Sequence, residues 1–209
     1  MKADRAALPL FLIICLALTA CYDDPADMPD LSQEENTLSY VDARSYTEWV
    51  YIDLSEGTTL ALDYKDTVGV PERWTFALHR YDCKTNGGSA LETPFTSLDD
   101  LLLALSEQTY KPATSEFTPD TEGDIIIDVS HMIEGYLIYD IASRNEALSL
   151  WLNVDISTMP PIYTQSGKVY LLREADGTLS ALRFTGFSNP YYYDTKGYIS
   201  FQYRYDIEL

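Results

Sequence analysis

Histidine is nearly absent: only His79 and His131 occur in 209 residues. Basic residues are few as well, 14 Lys and Arg against 33 Asp and Glu, for a net charge of -19. A phosphate backbone would be repelled over most of such a surface, which argues against nucleic acid as a partner. No nucleophile elbow, P-loop, HExxH or CxxC occurs, so the reaction classes those motifs carry have no footing. Carboxylates abound, and a glycosidase needs only two across a cleft, yet nothing singles out a pair. The chain reads as no enzyme. Internal repeats of 20 to 50 residues are also missing.

Cysteine is scarce too, and its positions say more than its count. "MKADRAALPLFLIICLALTACYDD" starts with Lys2 and Arg5, then runs apolar from Ala6 to Ala20. That is too short and too early for an ordinary membrane-spanning helix, and reads as a secretory signal over residues 1–20. The small residues in "LTAC" resemble the lipobox of bacterial lipoproteins, which makes Cys21 the lipidated first residue of the mature chain. Cys15 leaves with the signal, so Cys83 alone remains and no internal disulfide can form. Cys83 is read as a buried structural thiol rather than a reactive one. Residues 21–37 are acidic, proline-bearing and poor in large apolar side chains, a solvated tether from the lipidated Cys21. Its Asp23 and Asp24 resemble the surface-export signal of Bacteroidota lipoproteins.

What the chain does have is tyrosine, 17 in all, and period-two patterning from residue 38 to residue 209. "WVYIDL" alternates over Trp49 to Leu54, and "RWTFALHRYD" does likewise. "KVYLLREADGTLSALRFTGF" is two apolar runs joined at Asp176-Gly177, a strong hairpin signal. "NPYYYDTKGYISFQYRYDIEL" reads as two tyrosine-rich strands about "DTKG". One stretch is helical, residues 96 to 108, with Thr96 or Ser97 as N-cap and Asp99 and Asp100 in its first turn. The sum is a single all-β domain over residues 38–209, mostly antiparallel, sandwich- or barrel-like, with one or two short helices.

Three stretches together, "RWTFALHRYDCKTNGGSA", the 168–187 hairpin and "GYISFQYRYDI", resemble the HmuY-like haem-binding lipoproteins of Bacteroidota. The resemblance implies a mostly β haemophore, a surface lipoprotein of the outer membrane that captures haem b (iron protoporphyrin IX). Such a protein takes haem free or from host haemoproteins and passes it to a TonB-dependent outer-membrane receptor. Members hold the iron between two axial side chains, two histidines or two methionines, from loops before and after the segment matching "WLNVD". Here the first loop offers "SHMIEGY" and the second "NVDISTMPPIY". The second loop has no histidine; the position that carries one in the family falls on Ile156, so only the Met159 thioether can ligate. Pro160 and Pro161 hold the chain after Met159 extended.

In the first loop, strand alternation through "DIIIDVSHM", if the strand runs that far, puts His131 on the apolar core side and Met132 on the open side. Because relatives pair like with like, the resemblance implies Met132 and Met159 as axial ligands, with His131 as the alternative and Tyr136 and Tyr163, which lie on the same loops, as haem-pocket aromatics. His79 is expected to be structural. Two thioethers are neutral, soft donors, so ferrous haem should bind more tightly than ferric, and the ligands themselves should not respond to mild acid. Two other readings stand beside this one. One is an adhesion or glycan-binding module with "NPYYYDTKGY" as its platform; the other is an envelope lipoprotein with no ligand. Within the family reading, another tetrapyrrole could replace haem.

Overall fold

Alternating apolar side chains need cover on one face, and here two antiparallel sheets give it to each other. The computed structural model describes residues 36–158 and 160–208. In chain order the strands are β1 (Thr37–Asp42), β2 (Glu48–Asp53), β3 (Thr58–Asp63), β4 (Phe76–His79), β5 (Asp82–Thr85), β6 (Ser89–Glu92) and β7 (Thr118–Pro119). They continue as β8 (Thr121–Asp128), β9 (Ile138–Arg144), β10 (Leu152–Asp155), β11 (Ile162–Gln165), β12 (Val169–Arg173), β13 (Leu179–Asn189) and β14 (Thr195–Arg204). One sheet has six strands in the order β1-β14-β13-β12-β6-β7, the other four in the order β3-β2-β4-β5. The remaining four form two separate hairpins, β8-β9 and β10-β11.

Val50, Ile52, Phe76 and Leu78 of the smaller sheet meet Tyr170, Leu172, Phe184, Ile199 and Phe201 of the larger in one buried cluster. Trp151 closes its edge, stacked on Phe184 with ring centroids 4.2 Å apart. Alternation in β2 is satisfied on both sides, because Trp49 and Tyr51 face away from that cluster and are buried with Trp74, Ala77 and Ile125 of β8. The β8-β9 hairpin thus covers the outer face of the four-stranded sheet. On the outer face of the six-stranded sheet, α1 (Leu98–Ser106) buries Leu98, Leu101 and Leu105 against Val169, Leu171, Leu179 and Ala181. Its N-cap is Ser97, whose side chain accepts from Asp100 N, with Asp99 and Asp100 in the first turn.

A second, four-residue helix, α2 (Glu146–Ser149), is capped by Asn145. Asn145 is a junction. Its side chain accepts from Leu148 N and donates to Thr118 O and Asp120 Oδ1, while its backbone N–H reaches Cys83 O at 2.6 Å. Ser149 Oγ accepts from Cys83 N, and Trp151 Nε1 donates to Tyr81 O at 2.9 Å. Residues 145–151 therefore pin the end of β9 and the start of β10 to the smaller sheet. Cys83 is fully buried, and burial pushes its thiol well above the usual range, in keeping with a structural role.

The hairpin at Gly177 forms as the sequence implies, with φ +96° at that glycine and Thr178 N bound to the Asp176 carboxylate. The C-terminal hairpin differs in detail. Its turn holds Tyr191 to Asp194, with φ +52° and +50° at Tyr193 and Asp194, so these tyrosines lie between strands instead of in one. Gly197, expected in the turn, sits inside β14 at φ +96°, where a Cβ would come within 2.4 Å of the Arg80 guanidinium.

Candidate functional site

The two free hairpins carry the candidate loops. In the first, β8 stops at Asp128 because that carboxylate accepts from Ser130 N at 2.7 Å and Ser130 Oγ at 3.1 Å, turning the chain away from the ladder. A single 3-10 turn over Met132–Glu134 follows, closed by Gly135 at φ +90°. The strand does not reach residue 131, so alternation ceases to apply there. His131 is accordingly not on the core side: its side chain is 37% exposed, its ring stacks on Tyr136 at 4.6 Å, and its Nδ1 lies 3.2 Å from Glu134 Oε2. Met132 is 44% exposed, and Ile133 beside it is almost wholly so.

In the second hairpin, Asp155 ends β10 by accepting from Ser157 N at 2.9 Å, and Thr158 Oγ1 donates to Pro160 O. Met159 lies outside the described residues, as do Cys21 and the rest of 1–35. Ile156 and Ile162, at the two ends of the turn, are both exposed. Tyr163 is half-buried, facing Val154 across the hairpin and packing at 5.1 Å on Phe187.

Between the hairpins lies a cavity of about 390 Å³. One hairpin supplies Ile126, Leu137 and Tyr139, the other Leu152, Val154 and Ile156, and Leu150 joins from the connecting segment. Exposed Ile138 and Ile141 extend the apolar surface on the first hairpin. So much apolar surface left open, on elements held rigidly at one end, is the usual form of a small-molecule site. The HmuY protein family model matches residues 45–203, most of the chain and all of both hairpins.

The chain belongs to the HmuY family.

Among solved structures, a candidate lipoprotein of Bacteroides fragilis is 44% identical, with a TM-score of 0.71 over 83% of this chain and 90% of its own. A candidate HmuY-like haem-binding protein of Bacteroides vulgatus is 38% identical, with a TM-score of 0.72 over 83% and 94%. The apo HmuY analogue of Tannerella forsythia, 21% identical with a TM-score of 0.63 over 84% and 100%, shares the fold. No match was found among curated proteins.

In this HmuY-family chain the inner end of the cavity is polar. Arg144 Nη2 lies 3.3 Å from Asp82 Oδ1, and the Asp82 side chain is 8% exposed. Burial raises the Asp82 carboxyl to about 6 despite the opposing pull of Arg144. Tyr81, also lining the cavity, is pushed up to about 12, chiefly by burial. Among the described residues no three His, Cys, Asp or Glu side chains gather as a metal site. His79 is fully buried, its Nε2–H donating to Tyr46 O at 2.9 Å, and burial lowers its pKa. That is the structural role expected of it. Tyr136 and Tyr163, expected in the pocket, do not line the cavity: Tyr136 stacks on His131 and Tyr163 packs on Phe187, whereas Tyr139 and Leu137 line it. The latter two were missed by sequence reasoning, although the "LIYDIAS" run after Gly135 is a strand signal that leads to them.

Proposed function

We propose that this protein is a haem-binding surface lipoprotein, anchored in the outer membrane through Cys21, that carries haem b as cargo. In this reading the cargo lies between the two hairpins, its iron held by the thioethers of Met132 and Met159. The observation that carries it is the open apolar cavity between two hairpins whose turns hold the chain's two mature-domain methionines. Family membership and the likeness to the Bacteroides vulgatus protein support the choice of ligand. Met132 is half exposed on the turn that follows β8, while His131 is already engaged by Tyr136 and Glu134, which favours methionine over histidine. The remaining steps, taking haem free or from host haemoproteins and handing it to a TonB-dependent receptor, follow from the same reading.

The test is a haem titration by absorbance, with and without dithionite, on the chain from residue 22 onward and on Met132→Ala, Met159→Ala and His131→Ala. Sharp low-spin ferrous bands are expected in the wild type, lost with either methionine and kept without His131. Equal affinity in both redox states would count against two thioethers. Bands that vanish with His131 move the ligand there, and no bands in any chain removes haem.

A further inference from the structure

The outer face of the six-stranded sheet carries a second concavity, which shares no lining residue with the hairpin cavity. Two hollows of about 480 and 390 Å³ share Thr37 and Gln202 and so form one trough across β1, β14 and β13, ending at the start of α1. The larger hollow is lined by Ser, Thr, Gln and Tyr side chains with Phe187 and no charged group, on a chain with 33 acids. Hydroxyls and amides both donate and accept, as a sugar hydroxyl does, and so can satisfy it in either sense. At this end the backbone is shaped for the hollow: register shifts occur in β1 between Leu38 and Val41 and in β13 around Gly186. Tyr40, at φ +55°, is held in the bulge by a bond from its N–H to Ser200 Oγ. Its ring meets that of Tyr191 edge-on at 5.9 Å, and Tyr191 is 53% exposed, leaving an aromatic face at the rim.

The other end is different. Arg183 and Arg204 line the smaller hollow beside Ser97 and Asp99. Arg204 Nη1 donates to Tyr203 O at 2.9 Å while its Nη2 is only weakly engaged by Asp99, at 4.0 Å, and Arg183 Nε is buried with no hydrogen-bond partner among the described residues. Two guanidinium groups on a strongly acidic protein suit a carboxylate.

We propose that this trough binds an oligosaccharide carrying an acidic sugar, its neutral residues against Tyr191 and Gln202 and its carboxylate toward Arg183 and Arg204. The trough shares no lining residue with the hairpin cavity, although Gln165 at its rim pairs with Leu152 of that cavity, so the lipoprotein would hold a glycan and its cargo at separate but neighbouring sites. A glycan array with neutral and uronate- or sialate-bearing oligosaccharides, probed with the chain from residue 22 onward, tests it. Acidic glycans should be retained over their neutral counterparts. Tyr191→Ala and Gln202→Ala should weaken that retention at least tenfold, and Arg204→Gln should abolish the preference for acid, all with unchanged thermal melts and haem spectra. Retention of no glycan by the wild type, or retention that survives all three substitutions, overturns the proposal.

Discussion

Asp82 lies where the cavity meets the sandwich, and its carboxyl carries a consequence for pH. Its folded pKa of about 6 stands above the usual carboxylate value. The unfolded chain therefore releases this proton at lower pH than the folded one. The sign is a penalty present above pH 6 that is relieved as pH falls toward 4. Asp82→Asn should stabilise the protein at pH 7 by about 2 kcal/mol, the shift tempered by loss of the Arg144 pair, with the gain vanishing near pH 4. Urea melts across that range check it; a constant gain would refute the burial argument. The same group bears on ligand binding. Thioether ligation alone implies no response to mild acid, but a cavity wall that gains a proton near pH 6 introduces one, and Asp82→Asn should remove it. Neither His131's engagement nor Asp82's burial was legible in the sequence. The first depends on where a strand ends, and the second on a neighbour, Arg144, that lies 62 positions away.

Elements were legible where a local signal fixes them. Ser97 with Asp99 and Asp100 marks the start of α1, and Asp176-Gly177 marks its hairpin, because cap and turn chemistry act within four residues. The end of β8 was not, since apolar alternation runs on through Val129 while the Asp128 side chain has already captured Ser130. Family resemblance pointed to both loops, but the cavity between them depends on how two hairpins approach, which no local pattern encodes. Gly135 is the conformational hinge of the first loop, in left-handed backbone with no atom within 4 Å of where a Cβ would stand. Gly135→Ala should therefore cost about 1 kcal/mol through backbone strain alone. Because the strain falls on the turn that presents Met132, ligand affinity should drop more than the melting temperature; equal affinity would show that the turn is free to relax.

For the molecule as a whole, stability resides in the sandwich. Trp151 is fully buried, stacked on Phe184 and bonded to Tyr81 O, so Trp151→Ala should cost about 3–5 kcal/mol and loosen the base of β10 as well. A chemical denaturation midpoint checks the first effect, and loss of ligand affinity beyond that of the folded fraction checks the second. By contrast, the β10-β11 hairpin is four residues a side and joins neither large sheet. A two-stranded unit of that size is marginal by itself and rests on the core through Leu152, Val154 and Tyr163, so its opening is expected to cost less than unfolding the core beneath it. If the cargo bridges both hairpins as proposed, it would act as a removable clasp: amide exchange there should slow while it is bound and quicken when it leaves. On that reading, release would need only this one hairpin to move aside, leaving the sandwich ready to be loaded again.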